Sequence, residues 1–104
     1  MEIRFEYKGS VLKILLSGEL DESNAEKVRS ALDDKISPLH VNKIILDLSK
    51  LSFMDSTGIG VFVGRYRKFK DKPLAFFITQ PNVTVDKILK LSGIYNIMPK
   101  IETA

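Results

Sequence analysis

One stretch constrains the fold more than any other, because a strand pattern runs into a helix pattern through a short polar turn. Residues 43–48 are almost continuously apolar, as expected for a strand that is buried on both faces. Beyond the turn, apolar residues recur at helical spacing, three, one, three and three positions apart: Ile59, Phe62, Val63, Tyr66 and Phe69. A strand followed directly by a helix is the repeating unit of an α/β fold.

The turn between them, Asp55-Ser56-Thr57-Gly58, has residue types that begin helices. Asp, Ser and Thr side chains accept hydrogen bonds from the free N–H groups of a first helical turn. The same N–H groups and the helix dipole favour an anionic group at this position. Two interpretations are open on the residues alone: Asp55 or Ser56 caps the helix, or a serine that receives a phosphate lies here.

The amino-terminal part of the chain predicts a strand hairpin. Polar and apolar residues alternate over residues 3–7, and residues 11–16 form a second apolar run. Only Lys8-Gly9-Ser10 separates the two runs, so we expect the strands to pair antiparallel. Gly18 breaks the second pattern near the end of that strand.

Two further helices have recognisable ends. Ser23-Asn24-Ala25-Glu26 has the form of a capping box, in which the two side chains bond each other's backbone N–H groups, and Pro38 ends the helix. A third helix is expected over residues 80–93. It lies between a buried strand at residues 74–78 and a short edge strand at residues 97–101, beyond which the chain end is expected to fray.

The element order predicted for this chain is β-β-α-β-α-β-α-(β). Alternating strands and helices after the hairpin require right-handed crossovers, so we expect one α/β domain over residues 1–104 with a mixed, mainly parallel sheet flanked by helices. Functional loops of such sheets gather at the carboxyl ends of the strands. Asp21 and Ser56 both follow strand ends, so we expect them at the same edge of the sheet.

Composition argues against several classes of function. The chain has no cysteine, and a membrane span would need roughly 18 consecutive apolar residues, far more than any run here. The net charge is only +3, and the basic stretch at residues 65–72 is expected to be the wet face and end of a helix rather than a nucleic-acid site. The amino terminus also lacks a signal-peptide pattern, so we expect a cytoplasmic protein.

No combination of side chains predicts an active site. Glu19, Asp21 and Asp47 do not occur with a nucleophile and a base, and the single histidine, His40, is expected in a loop as an exposed spacer. The glycines near the polar turn are not followed by the Gly-Lys-Ser/Thr of a P-loop. We therefore expect no enzymatic activity, no metal and no cofactor.

Two motifs carry a resemblance to a known family. Phe53-Met54-Asp55-Ser56-Thr57-Gly58-Ile59-Gly60, followed by Gly64-Arg65-Tyr66-Arg67, resembles the signature of the anti-sigma factor antagonists, small bacterial proteins of the STAS domain family. The usual family wording is Asp-Ser-Ser-Gly-Leu-Gly, so this chain departs at Thr57 and Ile59. Gly18-Glu19-Leu20-Asp21 matches a second family element at family-like spacing. The resemblance covers nearly the whole chain.

The resemblance implies a mechanism and a site. In the family, a partner kinase phosphorylates the first hydroxyl after the aspartate, which is Ser56 here, with Thr57 as the alternative. The unmodified protein binds an anti-sigma factor that is also this serine kinase, and so frees the sigma factor. A serine phosphatase reverses the modification, and ATP and magnesium belong to the kinase. The partner-binding residues implied are Asp21, Asp55, Ser56, Thr57, Gly58 and Gly60.

Three alternatives stay open at this point. Asp21 either belongs to the partner surface or caps a helix. The glycines either let a partner approach the second helix or let that helix pack closely on the sheet. The domain is either a phosphorylation switch or a fixed structural subunit of a signalling scaffold or a lipid-transport complex, in which Ser56 would only cap a helix.

Overall fold

The apolar stretches of the sequence form a five-stranded sheet whose strands lie side by side in chain order. The structure is a computed structural model that describes residues 1–38 and 40–102. β1 pairs antiparallel with β2, and β2 to β5 pair parallel. The predicted element order is confirmed, with a 3₁₀ turn at Ile94–Asn96 before the last strand. The bounds are β1 (Glu2–Lys8), β2 (Val11–Leu20), α1 (Ala25–Ile36), β3 (Lys43–Met54), α2 (Ser56–Phe69), β4 (Ala75–Thr79), α3 (Val83–Ser92) and β5 (Lys100–Ile101).

The strand order places the three helices on one face of the sheet. Each parallel crossover advances to the next strand in the same direction, and right-handed crossovers in one direction leave every connecting helix on the same side. One hydrophobic core accordingly unites apolar residues of α1, α2 and α3 with alternate residues of β2, β3 and β4. Within the described residues, every helix is too short or too polar to cross a membrane.

β3 is buried on both faces, as its apolar run predicts, although helices cover only one of them. Ile44 and Leu46 belong to the core beneath the helices, whereas Ile45 points to the other face and is still only 5% exposed. Ile45 is flanked there by its partners in register, Lys13 on β2 and Phe77 on β4. Side chains of the sheet itself therefore bury the second face.

Asp47 is the buried polar residue of β3, and it is held by neighbouring groups. Its Oδ2 lies 3.4 Å from the Lys13 ammonium, and its Oδ1 accepts a hydrogen bond from the Ser49 N–H at 2.9 Å. Burial by itself raises the pKa of Asp47, but the hydrogen bonds from Ser49 and the Lys13 charge bring the pKa below its ordinary value. Asp47 is therefore an ionised, paired carboxylate on the sheet.

Two strands extend beyond the ends that the sequence pattern predicts. β2 continues through Gly18, whose φ of 107° suits glycine, and its register against β3 shifts on both sides of Ser17–Gly18. β3 continues to Met54 with every third residue of its end buried: Leu48, Leu51 and Met54. The predicted second strand, residues 11–16, is therefore too short, because an irregular ladder tolerates the break in alternation at Gly18.

The capping box predicted at Ser23 and Glu26 is also wrong. Asn24 precedes α1 without a side-chain cap. The Ser23 hydroxyl donates instead to the Asp21 carboxylate at 2.6 Å, and Glu26 forms an ion pair with Arg29. A stronger acceptor two residues upstream competes successfully for the serine hydroxyl.

The basic side chains of residues 65–72 are exposed as predicted, except at Arg65. Arg65 is only 6% exposed, and its Nε lies 2.7 Å from the Asp33 carboxylate on α1. Lys68 reaches the same carboxylate from the surface at 3.1 Å. The stretch therefore includes one buried cation that joins α2 to α1.

The end of α3 agrees with prediction, and the last strand is shorter than expected. Gly93 adopts φ 78° as the helix ends, and β5 comprises only Lys100–Ile101. Asn82 is the amino-terminal cap of α3, so the helix begins at Val83 rather than at the predicted start at residue 80. Of the residues expected to fray, Thr103 and Ala104 lie outside the described residues.

Asp86 connects α3 to the end of the chain. Its Oδ1 accepts hydrogen bonds from the Tyr95 hydroxyl at 2.6 Å and the Lys100 ammonium at 3.0 Å, and its Oδ2 lies 3.2 Å from Lys90. The Tyr95 bond and then the Lys100 bond lower the pKa of Asp86 to about 2. Burial, reinforced by Asp86, raises the pKa of Tyr95.

We expect Asp86 to stabilise the fold above about pH 4 and to lose this contribution as the pH falls towards 2. The sign follows because the folded-state pKa lies below the ordinary value of 3.8, so protonation is more favourable in the unfolded chain. Urea unfolding of Asp86→Asn should show a lower midpoint at neutral pH and a flatter loss of stability below pH 4. Asp34→Asn, at an exposed position without an ion pair in the described residues, should keep the original profile. If the stability of Asp86→Asn fell with decreasing pH as steeply as that of the unmodified protein, this role would be contradicted.

Candidate functional site

The carboxyl ends of β2 and β3 meet beside the start of α2. Leu20 pairs with Met54 in the last step of the parallel ladder, and the Asp55 N–H donates to the Leu20 carbonyl oxygen at 3.4 Å. Asp21 directly follows Leu20, and Ser56 directly follows Asp55, so both lie at this junction. The expectation that they lie at the same edge of the sheet is confirmed.

Asp55 caps α2, so the neighbouring Ser56 is not needed as the cap. Its carboxylate accepts a hydrogen bond from the Thr57 N–H at 2.9 Å, and its carbonyl oxygen accepts one from the Gly58 N–H at 3.0 Å. Ser56 is the first residue of the helix and is exposed. Within residues 1–38 and 40–102 the Ser56 hydroxyl has no hydrogen-bond partner. Of the two capping alternatives, the structure therefore selects Asp55.

Thr57 lies in a different environment from Ser56. It is half-buried and lines a shallow groove of about 320 Å³ between α1 and α2. The other residues that line the groove are Ala25, Glu26, Arg29, Gly60 and Val61. The Ser56 side chain is therefore the more accessible of the two adjacent hydroxyls.

The two glycines of the motif have separate roles. A Cβ atom on Gly58 would lie 2.4 Å from Cγ of Met54 and 3.1 Å from Cγ of Leu20, so α2 touches the sheet here. Gly58 is buried, which favours the close-packing alternative, and its contact with a partner stays a prediction. A Cβ atom on Gly60 would meet no heavy atom of the described residues within 4 Å. Gly58 thus serves close packing, and Gly60 leaves open surface.

Asp21 holds the loop between β2 and α1 in one conformation. Its carboxylate accepts hydrogen bonds from the Ser23 hydroxyl at 2.6 Å and the Ser23 N–H at 2.9 Å, and these lower its pKa. Its own N–H donates to Oδ1 of Asn24 at 3.1 Å. The loop therefore presents a fixed, ionised carboxylate near the start of α2.

Sequence reasoning missed Asn82, which supports the end of β3 from α3. Its Oδ1 caps α3 by accepting from the Val85 N–H at 2.8 Å, while its Nδ2 donates to the Leu51 carbonyl oxygen at 3.1 Å. An asparagine before an apolar helix pattern indicates the cap. No local signal indicates the contact with Leu51, which lies 31 residues away in the chain.

Phe53 adds an apolar group beside the turn. It is 42% exposed on the last part of β3, two residues before the cap of α2. Exposed aromatic side chains are enriched at the energetic centres of protein interfaces. The edge of the sheet therefore combines an aromatic side chain, two carboxylates and a free hydroxyl, a surface suited to docking.

The carboxylates considered at the sequence level do not converge on one another. Asp47 pairs with Lys13, Asp21 is bonded by Ser23, and Glu19 is exposed. Among the residues that the structure describes, no group of three or more His, Cys, Asp and Glu side chains is placed to hold a metal ion. What this edge offers chemically is an accessible hydroxyl at a helix N-terminus, where a phosphate is electrostatically favoured.

The chain is similar to known proteins in sequence and in fold. The profile of the STAS domain matches residues 2–104. The anti-sigma F factor antagonist of Paenibacillus polymyxa is 37% identical over 99 residues, which cover 95% of this chain and 85% of that protein. Among solved structures, the anti-sigma factor antagonist SpoIIAA in its unphosphorylated form superposes with a TM-score of 0.81 at 31% identity, covering 96% of this chain and 88% of that one. The phosphorylated form of SpoIIAA, a Bacillus cell fate determinant, gives 0.72 at 30% identity, covering 96% and 91%.

Alanine at the two motif glycines should have opposite effects on stability. Gly58→Ala should destabilise the fold by about 1–3 kcal/mol, because its methyl group overlaps Met54 and Leu20. Gly60→Ala should stabilise it by up to about 1 kcal/mol, because alanine is the better helix former and the space is open. Chemical denaturation of the two variants beside the unmodified protein measures both. Equal shifts in the same direction would contradict the separate roles.

Proposed function

The chain belongs to the STAS domain family, and from this premise we propose that it is an anti-sigma factor antagonist. In its unphosphorylated form it binds an anti-sigma factor, and the sigma factor is released. The observation that carries the proposal is the exposed Ser56, placed at the start of α2 while Asp55 supplies the cap. The relative of Paenibacillus polymyxa and SpoIIAA, both at 30% identity or more, are named for this activity.

In this proposal the anti-sigma factor is also a serine kinase that phosphorylates Ser56, using its own ATP and magnesium. A serine phosphatase removes the phosphate and restores binding. The accessibility of Ser56 supports it as the modified residue, whereas Thr57 is half-buried between α1 and α2. The chain acts as a binding module and substrate, and supplies neither cofactor nor catalytic group.

A phosphate on Ser56 would change the docking surface without requiring a change of fold. It adds roughly −1.5 to −2 charges at neutral pH. Among the described residues, the Ser56 N–H at the start of α2 has no partner and can receive a phosphate oxygen, whereas the N–H groups of Asp55, Thr57 and Gly58 are already bonded. Within the chain the phosphate is therefore tolerated.

The partner is expected to distinguish the two forms by charge. The edge of the sheet already presents Asp21 and Asp55, so a phosphate between them concentrates negative charge on one small surface. A partner shaped to receive two carboxylates and a neutral hydroxyl would lose contact with that surface. A coupling of about 3 kcal/mol corresponds to more than a hundredfold change in affinity.

Substitution at Ser56 should separate binding from its regulation. Ser56→Ala should bind the anti-sigma factor constitutively, because it keeps the surface neutral and cannot be modified. Ser56→Asp should bind at least about tenfold more weakly, because it adds a charge at the same position. Calorimetric titration with the purified anti-sigma factor measures both. Ser10→Asp, in the exposed turn between β1 and β2, carries the same charge change and should bind normally. Equal binding by the two Ser56 variants would contradict the switch.

Phosphopeptide mapping of the protein from its own cells should locate the modification. Trypsin cleaves after Lys50 and Arg65, so one peptide carries Ser52, Ser56 and Thr57 as its only hydroxyls. We expect the phosphate on Ser56. A phosphate on Thr57 would keep the mechanism and move the site. A well-detected peptide without phosphate under several growth conditions would favour a fixed structural subunit instead.

A further inference from the structure

The sheet face turned away from the helices carries a groove that the proposed function does not use. It has a volume of about 550 Å³ and lies where β1, the start of β2 and the start of β3 adjoin. Ser56 follows the opposite end of β3. The groove is therefore remote from the proposed phosphorylation site along the sheet.

The floor of the groove is apolar because of the strand register. Val11 pairs with Lys43, and Lys13 pairs with Ile45, so apolar and basic residues alternate across the two strands on this face. Val11 is half-buried, and Ile45 is buried without belonging to the core under the helices. The helices lie on the other side of the sheet, so only side chains of the sheet itself cover this face, and they leave Val11 partly exposed.

The walls of the groove carry an excess of positive charge. Three lysines line it, Lys8, Lys13 and Lys43, against one carboxylate, Glu6. Lys13 is already paired with Asp47, whereas Lys8 and Lys43 have no ion-pair partner among the residues that the structure describes. Their ammonium groups are thus available to a negatively charged ligand.

Lys43 is positioned rather than free in solvent. Its ammonium lies 4.9 Å from the centre of the Phe77 ring on β4, and its side chain is half-buried along the sheet. A lysine stem that lies on apolar surface while its charged end stays accessible is suited to a ligand with an apolar body and a charged end.

We propose that this groove binds a small amphipathic anion free in solution, a carboxylate or sulfonate with an aromatic or short alkyl body. The apolar body lies on Val11, with the buried Ile45 beneath the floor, and the anionic group contacts Lys8 and Lys43. The volume falls within the range of about 300–1,000 Å³ that is typical of small-molecule sites. The combination of an apolar floor with a surplus of cations selects an anion over a neutral compound.

The binding experiment uses the full chain and 8-anilinonaphthalene-1-sulfonate as the probe, followed by fluorescence and by amide NMR spectra. We expect saturable fluorescence enhancement and shifts of the amide signals of residues 11–13 and 43–45. Shifts confined to the groove between α1 and α2, or enhancement that does not saturate, would overturn the proposal. Binding of the uncharged N-phenyl-1-naphthylamine with equal affinity would overturn the anionic preference.

Matched variants test the location of the site. Lys8→Gln and Lys43→Gln should each weaken probe binding by about threefold, as removal of one solvent-screened charge contact does. Lys87→Gln, on the exposed face of α3, makes the same charge change and should leave binding unchanged. Equal weakening by all three would reveal a general charge effect and overturn the site.

A substitution in the floor tests the apolar contact. Val11→Asp should abolish probe binding, and its urea midpoint shows whether the variant still folds. If the variant does not fold, the lysine variants still test the location of the site. Sedimentation experiments test whether a second copy of the chain covers this face instead. If the unmodified protein self-associates and Val11→Asp makes it monomeric, the proposal is overturned.

Discussion

The parallel pairing of β2 with β3 up to their last residues is the constraint on which the site depends. Leu20 and Met54 end the two strands side by side, so the loops that carry Asp21 and Ser56 begin at adjacent positions. Gly58 then allows α2 to rest directly on those two side chains. Any larger residue would push the helix away from the sheet and move Ser56 relative to Asp21. The geometry of the edge is thus set by backbone pairing and one close contact rather than by side-chain bonds between the loops.

The turn before α2 divides two tasks between adjacent residues. Asp55 satisfies the first helical turn by accepting from the Thr57 N–H, so the structural need for a cap is met without Ser56. The serine is consequently exposed at a position where the helix favours negative charge. A modification there alters the surface while the cap that holds the helix stays in place. Under the proposed function, this division lets a phosphate change the surface at the helix end without unfolding the domain.

Local patterns predicted the parts of this structure that depend on neighbouring residues: the element order, the Asp55 cap and the end of α3 at Gly93. They failed where partners come from elsewhere in the chain. The irregular ends of β2 and β3 depend on each other's ladder, and Arg65 is buried because Asp33 faces it. The two motif glycines illustrate the same limit, because residues two apart on a helix point roughly 200° apart. Only the position of the sheet decides that Gly58 faces inward and Gly60 outward.

The ion pair between Arg65 and Asp33 holds the helical side of the site together. Its Nε–Oδ1 distance is 2.7 Å, and Arg65 is almost fully buried where α1 and α2 meet. A buried pair gains little net stability because desolvation offsets the attraction, but loss of one partner leaves a costly uncompensated charge. The pair therefore favours one arrangement of the two helices over others. Since α1 follows the Asp21 loop and α2 begins at Ser56, fixing the helices to each other also fixes the two loops that form the proposed docking surface.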